Sequence, residues 1–292
     1  MADRWRLSVF GDEIAPKLED QIATLQQHGV GALELRSAWG VNAVELRPER
    51  LDHAARLLGT AGIAVSAIGS PVGKAPIEGD FETERSRFRA AVDAAKRLGA
   101  KRIRVFSFFI PDGRYADFRD EVLRRMSSFV REAVAENLIL VHENESYIYG
   151  DDARRCHDLV ESVGSPGLEI AFDPANFVQV GVPPFDDAWP LLREHVGHFH
   201  VKDAVSVDRS GLAPYPSHVP EERLMASVRP AGEGEGQLPE LLRELDSEDY
   251  RGYLVIEPHL QHRRPDLDGA GRFAIALTAL RTLLNEMSVT TE

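Results

Sequence analysis

The 292-residue sequence predicts a single-domain α/β protein of the (β/α)8 TIM-barrel class. Three observations lead there. Eight short β-branched or apolar runs, each of about 4–6 residues, alternate with segments whose apolar residues recur near the helical period. No linker-like stretch interrupts the series, so one catalytic domain is expected over residues 1–287, followed by a polar tail at 288–292. The first turn, "FGDEI" (10–14), lacks the Gly-rich signature that a doubly wound nucleotide-binding sheet often carries.

In chain order the strand runs are "LSVF" (7–10), "ALELR" (32–36), "AVSAI" (64–68), "RIRVF" (102–106), "LILVH" (138–142), "LEIAF" (168–172), "VGHFHV" (196–201) and "YLVIE" (253–257). Helical patterns lie between them: "KLEDQIATLQQHG" (17–29), "RLDHAARLLGTAG" (50–62), "FETERSRFRAAVDAAKRLGA" (81–100) and "DEVLRRMSSFVREAVAE" (120–136). Several end at glycine, which stops a helix by adopting the left-handed conformation. "RPDLDGAGRFAIALTALRTLLNEM" (264–287) is the eighth helix. The seventh connection, Ala204 to Gly236, is unusually long, and long loops in compact domains are more often functional than idle.

Composition narrows the partners. A net charge of −13 without a basic run argues against nucleic acid. Cys156 is the single cysteine and cannot form an internal disulfide, so a reducing cytoplasm is the expected setting. The N-terminal residues lack the apolar core of a signal peptide. No apolar run approaches the roughly 18–20 residues needed to cross a bilayer, so no membrane role is expected. A homo-oligomer is compatible with the sequence and is left open.

In a barrel of this class the C-terminal strand ends carry the active site. Strand five closes on "HENE", with Glu143, Asn144 and Glu145. Strand six closes on "FDPAN", with Asp173 and Asn176, strand seven on "HFHVKD" and strand eight on "VIEPH", with Glu257 and His259. Charges ending a buried strand are costly to desolvate unless paired or bound to a cation. An oxygen-rich set with one imidazole suits Mn²⁺ first, or Mg²⁺, with Co²⁺ or Zn²⁺ as substitutes. Alternation puts His198 and His200 on one face, His200 at the rim as ligand and His198 one layer deeper as support.

"HENE", "FDPAN", "HFHVKD", "GEG" and "LVIEPH", in this order, resemble the xylose-isomerase-like TIM-barrel superfamily, often labelled sugar phosphate isomerase/epimerase. The likeness runs from "GDEI" to the final helix. It implies one divalent cation on Glu143, Asp173, His200 and Glu257, with Glu143 and Glu257 also the catalytic acid–base pair. The implied activity is isomerisation or epimerisation of a sugar or polyol-derived ketone through an enediolate.

Two positions depart from the ketose 3-epimerases: Asn176 stands where they carry a histidine, and Ser206 where they carry an arginine. These departures keep a lyase in view, either a keto-inositol dehydratase or an enzyme that cleaves oxidised glycosides by β-elimination. A non-catalytic sugar-binding barrel is the third reading. The endonuclease IV branch needs further histidines, whereas the early strand ends here supply Phe10, Arg36, Ile68 and Phe106.

Substrate contacts are expected from Asn176, Lys202, Asp203, Glu145, Lys74 and His259. "GEGEG" (232–236) reads as a flexible turn, because Glu233 and Glu235 would repel a phosphate. Arg36 and Arg104 read as structural partners of pocket carboxylates, His142 as packed against a helix, and Trp39, Phe108 and Phe109 as candidates for an apolar wall or for plain packing.

Overall fold

The computed structural model describes residues 5–164, 166–208, 210–212 and 218–289. Eight strands form its main sheet: β1 (Arg6–Val9), β2 (Ala32–Leu35), β3 (Ala64–Ile68), β4 (Arg102–Val105), β5 (Ile139–Glu143), β6 (Leu168–Phe172), β7 (Val196–Val201) and β8 (Tyr253–Ile256). Each lies within one residue of its expected run. All neighbours pair in parallel, in the ring order β1-β8-β7-β6-β5-β4-β3-β2. A parallel bridge between Phe10 and Glu34 joins β1 to β2 and nearly closes the barrel.

Helices α1 (Leu18–His28), α2 (Pro48–Ala61), α3 (Phe81–Leu98), α4 (Tyr115–Ala135) and α5 (Ala153–Val163) follow the first five strands. Gly29, Gly62, Gly99 and Gly164 end four of them at φ of 65°, 69°, 69° and 57°, a region that costs a glycine little. After β6 the crossover breaks into α6 (Pro174–Val180) and α7 (Trp189–Leu192), with prolines at 174, 183, 184 and 190. The long seventh crossover contains α8 (Glu221–Ser227) and α9 (Leu238–Ser247). Helix α10 (Gly269–Val289) runs two residues into the segment read as a tail, and residues 290–292 lie outside the described residues. Among the described residues no helix is long and apolar enough to cross a membrane.

The larger core fills the space between the outside of the barrel and the helices. Leu33, Ile103, Leu140, Phe172 and Ile256 of the strands meet Leu25, Leu58, Phe88, Phe129 and Leu280 of the helices. Each such side chain contributes about 1.5–3 kcal/mol on burial. Inside the barrel, among the described residues, a small apolar cluster forms from Phe10, Ala32, Tyr253 and Val255, with Val141 and Ala171 buried at the inward positions below Glu143 and Asp173. Much of the interior is polar: Ser8 and Ser66 share a 2.7 Å hydrogen bond, and Glu34, Arg104, His198 and His200 are buried as well. A barrel whose inward positions carry this much polarity is built around its mouth.

Candidate metal centre

The last inward positions of β5 to β8 bring Glu143, Asp173, His200 and Glu257 together, with one ligand atom of each within 4.8 Å of the others. All four are buried. His200 Nδ1 lies 3.0 Å from Glu257 Oε1, 3.6 Å from Glu143 Oε1 and 3.9 Å from Asp173 Oδ2. The ring is held from behind by the edge of Phe10, with centroids 5.4 Å apart.

The donor set fits a divalent cation on this structure's own terms. Glu143 Oε2, Asp173 Oδ2, His200 Nδ1 and Glu257 Oε1 are buried and make no hydrogen bond of good geometry. The first two have ion-pair contacts with Arg104 and Lys202, and the last two face each other at 3.0 Å, an arrangement rare for buried polar atoms. Charge agrees. Glu34, Glu143, Asp173 and Glu257 face two permanently charged buried side chains, Arg104 and Lys202. Without an ion, and against the cost of burial, Glu143 and Glu257 draw His200 towards its charged form. With His200 neutral as a ligand, one divalent ion would close the remaining deficit.

The two cations divide the carboxylates between them. Arg104 Nη1 is 3.0 Å from Glu143 Oε2, and its guanidinium lies between the rings of Phe10 and Phe106 at 5.1 and 4.9 Å. Lys202 Nζ is 2.6 Å from Asp173 Oδ2 and 3.0 Å from Glu257 Oε2. Burial opposes charge on Glu143, yet Arg104 and His200 hold its carboxyl down at about 2. Burial opposes it on Glu257 too, but Lys202 and His200 keep that carboxyl well below the usual range. Burial and the like charges of Glu257 and Glu143 push Asp173 up to about 6, against the pull of Lys202.

Above these residues opens a cavity of about 200 Å³, lined by Arg36, Lys74, Arg104, Phe106, Glu145, Lys202 and His259 among others. In its lining, Lys74 Nζ donates directly to Glu145 Oε2 at 2.8 Å. His259, held at φ 40°, places Nδ1 2.6 Å from Glu13 Oε1 and 3.9 Å from Glu257 Oε2. Arg36 bonds Asp12 at 2.8 Å and lies 3.3 Å from Glu13. Glu13, from the turn after β1, is thus a pocket neighbour that strand-end reading misses.

Two expected substrate contacts do other work. Asn176 is buried and donates its side-chain amide to Glu143 Oε1 at 3.1 Å and to the Asn144 carbonyl at 2.8 Å. It steadies Glu143 from behind instead of facing the cavity. Asp203 turns away altogether: its carboxylate accepts backbone N–H groups of Ala204, Gly232, Gly234 and Gly236 at 2.8–3.0 Å. A Cβ at Gly234 or Gly236 would come within 2.3 or 2.6 Å of Asp203 Oδ1. "GEGEG" is therefore a clamp on one carboxylate and not a flexible turn.

His142 packs at 0% exposure with Nε2 2.9 Å from Ser107 Oγ, and burial lowers its pKa to about 4. The apolar wall is Phe106. Phe108 stacks on Phe129 in the core, and Trp39 stacks on His53 outside the cavity. Ser70, in the loop after β3, donates to the Arg104 carbonyl and so ties that loop to β4. Asn144 exchanges two 2.9 Å hydrogen bonds with the Asp173 backbone and so locks β5 to β6 at the site. A separate group of ligand-type side chains, His157, Glu161 and His195, lies on α5 and the turn before β7.

Sequence comparison matches residues 22–282 to the xylose isomerase-like TIM-barrel model, and the chain belongs to that family. No curated protein matches it by sequence. Among solved structures, the IolI protein with a bound zinc atom superposes at a TM-score of 0.76 with 13% identity, over 96% of this chain and 98% of that one. A xylose isomerase-like TIM-barrel protein from Mycobacterium smegmatis in complex with magnesium gives 0.71 and 15%, over 97% of each chain. The probable 3-DHS dehydratase AsbF from Bacillus anthracis gives 0.70 and 17%, over 92% and 98%.

Proposed function

We propose that the protein is a divalent-metal-dependent isomerase or epimerase acting on a sugar or polyol-derived ketone. One observation carries the reading: Glu143 and Glu257 are both buried beside His200, and each is kept ionised by its own cation at the floor of a small cavity. Glu143, Asp173, His200 and Glu257 would hold the ion. Three carboxylates and one imidazole favour Mn²⁺, with Mg²⁺, Co²⁺ or Zn²⁺ as substitutes. When bound, the ion would polarise the carbonyl and adjacent hydroxyl of the substrate.

The chain's own residues then divide the proton work. One glutamate takes the proton from the carbon beside the carbonyl, and the other returns it to the opposite face or the neighbouring carbon. Asn176 holds Glu143 in place for this through its 3.1 Å bond. Lys74, Glu145, Lys202 and His259 line the cavity where hydroxyl groups would lie. At about 200 Å³ the cavity is smaller than the roughly 300–1,000 Å³ of drug-sized ligand sites, which suits a single small polyol.

The second reading is a lyase in which loss of the same proton expels a β-substituent. It is favoured by Lys202, a buried ammonium beside Glu257 that lines the cavity and could meet a leaving oxygen. The fold shared with a protein described as a probable dehydratase is consistent with it.

Both readings are tested by incubating Mn²⁺-loaded protein with a panel of ketoses and keto-inositols in D₂O. Deuterium at the carbon next to the carbonyl in a product of unchanged formula is the expected result. A product that has lost a group supports the lyase. Turnover without deuterium points to a shielded proton or a hydride shift, which α-deuterated substrate distinguishes. No reaction across the panel, with metal bound, counts against both.

A further inference from the structure

Both histidines of β7 converge on one carboxylate, Glu34 of β2. Its Oε2 lies 2.7 Å from His198 Nε2 and 3.5 Å from His200 Nε2. All three residues have 0% exposure. The nearest cationic atom, Arg104 Nε, is 3.9 Å from Glu34 Oε1, and that oxygen has no hydrogen-bond partner. A buried carboxylate with so little compensation is costly, and an apolar residue of similar shape would avoid the cost. Packing alone does not explain a glutamate here.

Backbone geometry aims these groups at one another. The pairing of β2 with β3 shifts register between Leu33 and Glu34, and the pairing of β6 with β7 shifts between Ile170 and Ala171, passing over Gly197 next to His198. Such irregularities re-aim side chains near sites. Phe10, packed edge-on against His200 at 5.4 Å, limits the ring's freedom to turn away.

We propose that Glu34 is a positioning residue for His200: its carboxylate, 3.5 Å from Nε2 and short of a closed hydrogen bond there, draws the hydrogen onto Nε2 by charge and so leaves the Nδ1 lone pair facing Glu143, Asp173 and Glu257. A neutral imidazole carries one hydrogen, and a hydrogen on Nδ1 would point at the cation instead of binding it. His198 donates to the same Oε2 and fixes the carboxylate's rotamer. The inference rests on the reading of Glu143, Asp173, His200 and Glu257 as a metal centre. It concerns how that centre is held, which is a role of the kind that outer carboxylates play behind ligating histidines.

The test is calorimetric titration of metal-free wild type, Glu34→Gln and Glu34→Ala with Mn²⁺, together with visible spectra of the Co²⁺-loaded proteins. Glu34→Gln is expected to bind Mn²⁺ about 10-fold more weakly and Glu34→Ala up to about 100-fold more weakly. The Co²⁺ bands should shift, while metal-free Glu34→Gln melts close to wild type. Wild-type affinity and an unchanged Co²⁺ spectrum in both variants would overturn the role of Glu34 and leave the metal centre standing. A wild type that binds no metal would remove the centre itself. Should the variants fail to fold, ¹⁵N spectra of the histidine rings in Zn²⁺-loaded wild type decide the matter. His200 with metal on Nδ1 and hydrogen on Nε2 supports the inference, and the reverse assignment defeats it.

Discussion

At the rim, β5 to β8 lead into Glu143, Asp173, His200 and Glu257, whereas β1 to β4 lead into Phe10, Arg36, Gly69 and Phe106. The first set supplies three carboxylates and an imidazole. The second supplies rings, a glycine and a guanidinium, with Arg104 one layer below. The halves are coupled: Arg104, clasped by Phe10 and Phe106, reaches across to Glu143, and Phe10 braces His200. The later strands hold the reactive groups together with Lys202, which keeps Glu257 charged, while the earlier ones add Arg104, which keeps Glu143 charged, and Phe10, which braces His200. Glu34 is the carboxylate of the earlier half that lies beside His198 and His200, as Glu13 lies beside His259.

The sharpest way to break that division is at the two glutamates. Glu143→Gln and Glu257→Gln should each lower turnover by roughly 10²-fold or more, as for loss of a positioned general base. Metal content must be measured in both, because each is also a proposed ligand. Full turnover with metal retained would mean that neither is the base.

Next in size is removal of the ion. At a hundredfold excess of metal over its Kd, binding linkage amounts to about 2.7 kcal/mol. Stripping with EDTA should therefore lower the melting temperature, and His200→Ala should lose most of the difference between loaded and stripped protein. Identical melting curves, with metal loss verified, would show that these carboxylates do not depend on a cation.

Asp203→Ala should cost about 2 kcal/mol, because it strands several backbone N–H groups that the carboxylate now satisfies. Limited proteolysis should then cut within 204–236 sooner than in wild type, while the metal stoichiometry stays the same. An unchanged cleavage rate would say that the glycine clamp holds without its carboxylate.

The smallest effect belongs to the earlier half. Arg36 is about a quarter exposed and tied to Asp12 and Glu13, so Arg36→Ala should cost less than about 1 kcal/mol in thermal unfolding. Its effect on turnover should stay far below that of either glutamate. A loss as large as theirs would move Arg36 from the wall of the pocket into its chemistry.

The strands were legible because their signal is local. A run such as "LEIAF" alternates and is bounded by turn residues, and nothing distant is needed to recognise it. The residues that follow the later strands were legible for the same reason: a charge after an apolar run marks where a buried strand meets the mouth. Glu34 was missed by reading only the last residue of "ALELR" as facing the mouth, although Glu34 stands two positions before Arg36 on the same face. A glutamate inside an apolar strand was the available signal.

By itself, the sequence determined eight strand–helix units, their glycine stops and the carboxylate-rich later strand ends, since each depends on the order of a few neighbouring residues. Tertiary structure decided which of those side chains meet. Glu34 and His198 are 164 positions apart in the chain and touch because the barrel nearly closes. Asp203 looked like part of the pocket until the returning glycines 29 to 33 residues later took both its oxygens. Asn176 looked like a substrate contact until the first turn of α6 set it behind Glu143. Hydrogen bonds act over about 3 Å, so partners are fixed by distance in space and not by spacing along the chain.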